Sequence, residues 1–406
     1  MVIVPHEIKE YQIDDVILGE GGFAQVRSGI HLPTNKSVAI KIISKTHLTT
    51  DHSVKQLVKE VVALSKCDHI FIAKFYDMFE DDNFFYIVQE LASNGSLLES
   101  VNARGKLTEN QCKRYFSQIL SAIEYLHENL NISHRDLKAE NILLDSGDNV
   151  RLIDLGLCQI LENKNDLMDT ACGSPAYAAP EVIKGEQYTK SADIWSLGVL
   201  LYAIAHVCLP WEDMNLKKLM QKVLYTEPEY SSQLSTELID LISKMLTKDP
   251  KSRITIKEIK EHPWMVNSIN LEPVELSPEE EYEIFNDLNR MGYFVNDTKN
   301  ALKEGKNTKG TVAYQILKRS KLTNKINERL TTIKPKKITV IRFRSEFVKR
   351  NDPLKKVIPA IHYDTNQAKQ TPRAVSGYRI LNFKNNHLLN VNAKSHVPKL
   401  LQMRPL

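Results

Sequence analysis

The chain has 406 residues, 42% of them hydrophobic, so it can fold as a globular protein but is too long for one small core, and two or three domains are expected. A formal charge of +4 hides an asymmetry: residues 321–406 carry 19 Lys+Arg against 4 Asp+Glu, leaving 35 and 46 for residues 1–320, a body of −11 and a tail of +15. Cys67, Cys112, Cys158, Cys172 and Cys208 lack C-x-x-C spacing, Met1-Val2-Ile3-Val4-Pro5 lacks a signal peptide's basic start, and no apolar run approaches membrane-spanning length; zinc and disulfide frameworks are disfavoured and an intracellular, soluble protein is expected.

Tyr11 to Leu18 reads as a strand running into Gly19-Glu20-Gly21-Gly22-Phe23-Ala24-Gln25-Val26. Glycines let backbone amides approach phosphate oxygens because no side chain intervenes, although a plain hairpin turn fits the same residues. No helix follows directly, which excludes nucleotide folds that place one after the glycines. Val38-Ala39-Ile40-Lys41 then sets a cation in a β-branched strand, where an inward lysine needs an anion. Ser53 to Leu64 has helical spacing, with Val54, Leu57, Val58, Val61 and Leu64 on one face and Glu60 able to point inward beside them. Lys41 and Glu60 can pair there; two surface charges are the alternative. Tyr86-Ile87-Val88 reads as a buried strand, and Gln89 to Gly95 turns small and polar, as suits a hinge whose backbone can hydrogen-bond a flat base. Gln111 to Glu128 is a core helix by its period.

The short loop Ser133-His134-Arg135-Asp136-Leu137-Lys138-Ala139-Glu140-Asn141 holds an acid, cations and an amide. Such a set suits phosphoryl transfer, which asks a protein to position a hydroxyl and neutralise phosphate charge rather than to make covalent bonds. Asp136 fits the hydroxyl proton, Lys138 the transferring phosphate and Asn141 a metal ion. Two short strands follow, Ile142-Leu143-Leu144 and Arg151-Leu152-Ile153. Asp154, ending the second, adds another oxygen ligand of the sort Mg²⁺ accepts.

Taken in order with Ala179-Pro180-Glu181, these motifs resemble the eukaryotic protein-kinase fold over residues 8–266: α+β, with a β-rich small lobe and an α-helical large lobe. The resemblance implies a serine/threonine kinase using ATP and Mg²⁺, with protein substrates; Lys138, two residues beyond Asp136, is the mark of serine/threonine rather than tyrosine kinases. It further implies that Leu18, Val26, Ala39 and Leu143 sandwich adenine, and that Glu90 and Ala92 bind its edge through the backbone. Gly19, Gly21 and Gly22 would cover the phosphates, Lys41 would hold them while paired with Glu60, Asn141 and Asp154 would hold Mg²⁺, and Asp136 would be the catalytic base. Arg253 is the expected partner of Glu181. Asp169 to Glu181 is similar to the AMP-activated protein kinase-related branch of the calmodulin-dependent kinase group; Leu152 to Cys158 is most similar to maternal embryonic leucine-zipper kinase, and Lys138-Ala139-Glu140-Asn141 to the microtubule-affinity-regulating kinases. A nucleotide-binding pseudokinase scaffold is the alternative, opposed by the intact Lys41, Asp136, Asn141 and Asp154.

Ala24 replaces the third glycine of the general pattern, Leu155 stands where phenylalanine is usual, and Ser96 stands where many basophilic relatives carry a glutamate. Phosphorylation of Thr170 by an upstream kinase is expected to order the activation segment by meeting Arg135. Ser277-Pro278-Glu279-Glu280 is a strong helix start, and residues 277–320 resemble a ubiquitin-associated domain of three short helices, for which an intramolecular role is favoured over ubiquitin binding. The basic tail 321–406 shows no strong period and is expected to be largely disordered, with weak contact to anionic lipid. No nucleic-acid partner is expected, and the location is read as cytoplasmic or nuclear.

Overall fold

The computed structural model describes residues 4–20, 24–48, 50–161, 166–168, 173–266, 268 and 273–331. The small lobe is a six-stranded antiparallel sheet of β1 (Glu7–Ile8), β2 (Tyr11–Glu20), β3 (Ala24–His31), β4 (Lys36–Ser44), β5 (Phe75–Glu80) and β6 (Phe84–Glu90), in the order β1-β2-β3-β4-β6-β5. Alternation along β4 decides what faces the cleft. Val38, Ile40 and Ile42 are at most 3% exposed, in a core with Tyr11 and Tyr86, so Ala39 and Lys41 take the opposite face. The register sets Val26 opposite Lys41 and Gly19 opposite Val26, lining these residues across that face. Helix α1 (Asp51–Lys66) begins at a reciprocal cap between Thr50 and Ser53, and its Leu57 and Leu64 join a core with Ile43, Phe85 and Ile87.

The large lobe follows as α2 (Leu97–Arg104), α3 (Glu109–Glu124), the paired strands β8 (Ile142–Leu144) and β9 (Val150–Leu152), the paired strands β7 (Ile132–Ser133) and β10 (Gln159–Ile160), then α4 (Pro180–Lys184), α5 (Ser191–His206), α6 (Leu216–Tyr225), α7 (Thr236–Met245) and α8 (Ile256–Glu261). Apolar residues surround α5, and the helix is accordingly buried on nearly every side. A Cβ on its Gly198 would lie 2.8 Å from the Cβ of Met245, so a glycine is what lets α5 and α7 touch.

Three helices close the described chain: α9 (Pro278–Arg290), α10 (Val295–Lys303) and α11 (Lys309–Thr331). Ser277 and Glu280 cap α9 reciprocally, and Gly292, at φ 87°, turns the chain towards α10. Ile284, Phe285 and Leu288 of α9 pack on Ala313, Tyr314 and Leu317 of α11. The third helix is not short: its 23 residues span about 34 Å, and the boundary expected at residue 320 falls inside it. Val312 and Ile316 complete the small-lobe core, whereas Ile326 and Leu330 join the large-lobe core. The first eleven residues of the expected tail are therefore helix, held by burial. The rest of the tail, 332–406, lies outside the described residues.

Candidate active site

Asp193, at the start of α5, organises the loop between β7 and β8. Its carboxylate accepts from His127 Nε2 (2.7 Å), Ser133 Oγ (2.9 Å), the His134 amide (2.8 Å) and the Arg135 amide (2.9 Å). Burial alone would raise its pKa, but these donors hold it down at about 2, so the anchor is a permanent anion. The loop is also locally strained, with Arg135 at φ 68°, a conformation that costs about 1–3 kcal/mol in a residue with a side chain. Burial keeps the His134 ring below its ordinary pKa, against the pull of Asp193 and Asp136.

The catalytic candidates meet at Asp136, which is 7% exposed. Lys138 Nζ donates to its Oδ2 at 2.7 Å, and Asn141 Nδ2 donates to its Oδ2 at 3.1 Å and its backbone carbonyl at 2.9 Å. The Ser174 amide and hydroxyl both donate to Oδ1 at 3.1 Å, and Lys138 reaches Ser174 Oγ at 3.3 Å. Sequence reasoning did not single out Ser174; its signal is the preceding Gly173, at φ 87°, where a Cβ would lie 2.4 Å from the Arg135 carbonyl. Only a glycine lets this segment close on the loop. Beside Asp136 lies a small hollow, with Tyr177, Val182 and Tyr188 among its walls.

Lys41 Nζ and Glu60 Oε1 are 2.5 Å apart. Burial disfavours the ammonium, but Glu60 and then Asp154 raise its pKa above the ordinary lysine value. Helix α1 is tied to the following turn as well, since Gln56 Nε2 donates to the Gly156 carbonyl at 3.1 Å. Leu155 is 1% exposed and belongs to the main core, so the exchange from phenylalanine keeps an apolar plug there. Asp154, at φ 64°, receives the Gly156 amide on Oδ1 at 3.0 Å, which leaves Oδ2; the amide group of Asn141 faces Asp136, which leaves its Oδ1. Two such hard oxygen donors fit a Mg²⁺ that keeps waters and phosphate oxygens.

Of the base-binding candidates, Leu18 is 47% exposed at the cleft edge, while Val26, Ala39 and Leu143 are half-buried. Glu90 spends its amide on the Lys74 carbonyl at 2.8 Å, so any contact with a base edge falls to its carbonyl. Ala92 is 9% exposed two residues on. Gly19 is described, with open space around it, whereas Gly21, Gly22 and Thr170 lie outside the described residues. Arg135 reaches Gln159 Oε1 at 3.4 Å. Ser96 caps α2: its Oγ accepts the Glu99 amide at 3.1 Å and its own amide donates to Glu99 Oε2 at 2.8 Å.

A family model described as "Protein kinase domain" matches residues 12–265. Similar proteins include the SNF1-related protein kinase catalytic subunit alpha KIN12 of Arabidopsis thaliana, 36% identical over 310 residues, covering 74% of this chain and 62% of that one. Maternal embryonic leucine zipper kinase of Xenopus tropicalis is 40% identical over 270 residues, 66% of this chain and 41% of the relative. Serine/threonine-protein kinase SIK2 of Gallus gallus is 41% identical over 262 residues, 64% and 32%. The matches thus span from about a third to just under two thirds of these curated relatives.

Proposed function

The chain belongs to the protein kinase family, and from that premise we propose that it is a serine/threonine kinase moving the γ-phosphoryl group of ATP to hydroxyls of protein substrates. The carrying observation is the convergence of Lys138, Asn141 and Ser174 on Asp136, with the Lys41–Glu60 pair formed above it. A substrate hydroxyl oxygen bonds to the γ-phosphorus as the bond from that phosphorus to the β–γ bridging oxygen breaks, and the hydroxyl proton passes to Asp136. Lys138 offsets charge on the group in flight, while Lys41, kept cationic by Glu60, holds the phosphates of the nucleotide. Asn141 and Asp154 would hold Mg²⁺, which when bound supplies further neutralisation at the phosphates.

The test is transfer from labelled ATP to casein and to a basic protein, followed by hydrolysis. Label on phosphoserine and phosphothreonine and none on phosphotyrosine is the expected result. Nucleotide binding with no transfer at all would replace the enzyme with a scaffold.

The same reading gives the enzyme a part in signal transduction, in the cytoplasm or nucleus, with an upstream kinase acting on Thr170. Support for that step is chemical: Arg135 directly precedes Asp136, and a phosphate there gains about one to three charge-assisted hydrogen bonds. Thr170→Ala is expected to lose most of the activation produced by an upstream kinase; full specific activity in that variant would remove Thr170 from the scheme. Contact of the basic tail with anionic lipid remains part of the proposal through charge alone, the tail segment 321–406 carrying 19 Lys+Arg.

A further inference from the structure

Glu90 ends β6 at the hinge, and its side chain turns away from the cleft into a buried charge cluster. Arg319, from the middle of α11, donates through Nε to Glu90 Oε2 at 2.7 Å, while the Lys74 amide donates to the same oxygen at 3.2 Å. The other oxygen, Oε1, accepts Arg151 Nε of β9 at 2.7 Å. Arg151 is itself tied to α11 by Nη2, which donates to Thr323 Oγ1 at 3.0 Å. All three charged side chains are at most 9% exposed. Burial alone would push the Glu90 carboxyl up, but Arg319 and then Arg151 hold it down at about 2.

The guanidinium of Arg319 does more than pair. Its Nη1 donates to the His69 carbonyl at 3.1 Å, and Nη2 donates to the carbonyls of Ile70 (2.8 Å) and Ile72 (2.7 Å). Those carbonyls belong to the connection between α1, which carries Glu60, and β5. One side chain from outside the matched domain thus ties the hinge strand to the segment behind α1, and the planar fork of an arginine is what reaches acceptors in several directions. A lysine, as a point charge, cannot serve them all.

We propose that Arg319 is a positioning residue for nucleotide binding, holding Glu90 and the 69–72 connection so that the hinge backbone meets the base in register. The inference rests on the reading of the cleft as an ATP site. It differs from a propping role in general because it assigns the effect to one guanidinium and one kinetic parameter.

The test uses the full chain. Titration with a fluorescent ATP analogue, steady-state transfer to a basic protein and thermal melting are compared for wild type, Arg319→Lys, Arg319→Gln and Glu90→Gln/Arg319→Gln. Arg319→Gln is expected to weaken analogue binding and raise KM for ATP by about tenfold to a hundredfold, with kcat changed by less than about threefold. Arg319→Lys should fall between, and the double variant should bind no worse than Arg319→Gln alone, since the two groups act as one unit. A lowered melting temperature with unchanged KM in Arg319→Gln, or in Arg319→Lys should the glutamine variant not fold, means a purely structural role and overturns the inference. Wild type that binds no analogue overturns the kinase reading and this inference with it; unchanged affinity of the variants against a binding wild type overturns this inference alone.

Discussion

Asp136→Asn is expected to lower kcat by about 10²–10⁴-fold while leaving KM for ATP within about threefold. The size follows from what the substitution removes. Asparagine keeps the shape but has one acceptor oxygen, so it can keep either the Lys138 bond (2.7 Å, on Oδ2) or the Ser174 amide bond (3.1 Å, on Oδ1). The loop should stay in place through ties that do not use this side chain, from Asn141 to the Asp136 carbonyl and from the Arg135 amide to Asp193. What it cannot do is take a proton from the acceptor hydroxyl, the one task assigned to this group alone. Nucleotide contacts are placed elsewhere, on Lys41 and the hinge, which is why KM should not follow kcat. Initial rates at saturating and limiting ATP separate the two parameters. A variant losing less than about threefold in kcat would show that Asp136 is not the proton acceptor.

The second large effect concerns stability. Glu181 and Arg253 form a two-pronged pair, Nη1 to Oε1 at 2.7 Å and Nη2 to Oε2 at 2.9 Å, with both side chains at most 2% exposed. Arg253 also serves the carbonyls of Ser191 (2.8 Å) and Thr247 (3.1 Å), and its guanidinium lies over the Trp195 ring. Glu181→Ala leaves that cation buried without an anion, at an expected cost of about 3–5 kcal/mol. Glu181→Gln retains two polar atoms and should cost less. Arg253→Met combined with Glu181→Leu should recover part of the loss, because an apolar pair removes the uncompensated charge. Urea unfolding of the four proteins measures all of this. A cost below about 1 kcal/mol for Glu181→Ala would mean that the pair is effectively solvated.

That Asp136, Lys138 and Asn141 meet, and that Lys41 pairs with Glu60, is legible in the sequence, and the reason is local. Asp136, Lys138 and Asn141 lie within six residues, so their meeting depends on one loop, and Lys41 with Glu60 needs only a strand and a helix of known period. Ser174 escaped notice because its place beside Asp136 is decided by how a segment nearly forty residues later folds back, with Gly173 as the only local sign. The third helix of the terminal module was misjudged for another physical reason. A helix buried against one neighbour shows one apolar stripe, but α11 gives Ala313 and Leu317 to α9, Val312 and Ile316 to the small lobe, and Ile326 and Leu330 to the large lobe. Successive partners lie on different sides, and the period dissolves where it was sought. The same distance in sequence hid the pairing of Glu90 with Arg319, two charges that look like surface residues when each is read alone.

That separation has a consequence for how the protein is made. Arg319 follows Glu90 by 229 residues, so a ribosome adding about 5–20 residues per second delivers the helix some ten to fifty seconds after the strand that needs it. Until then Glu90 has the Lys74 amide and, once it is made, Arg151, but not Arg319, and the apolar surfaces that α11 will cover on both lobes are open to water and to other nascent chains.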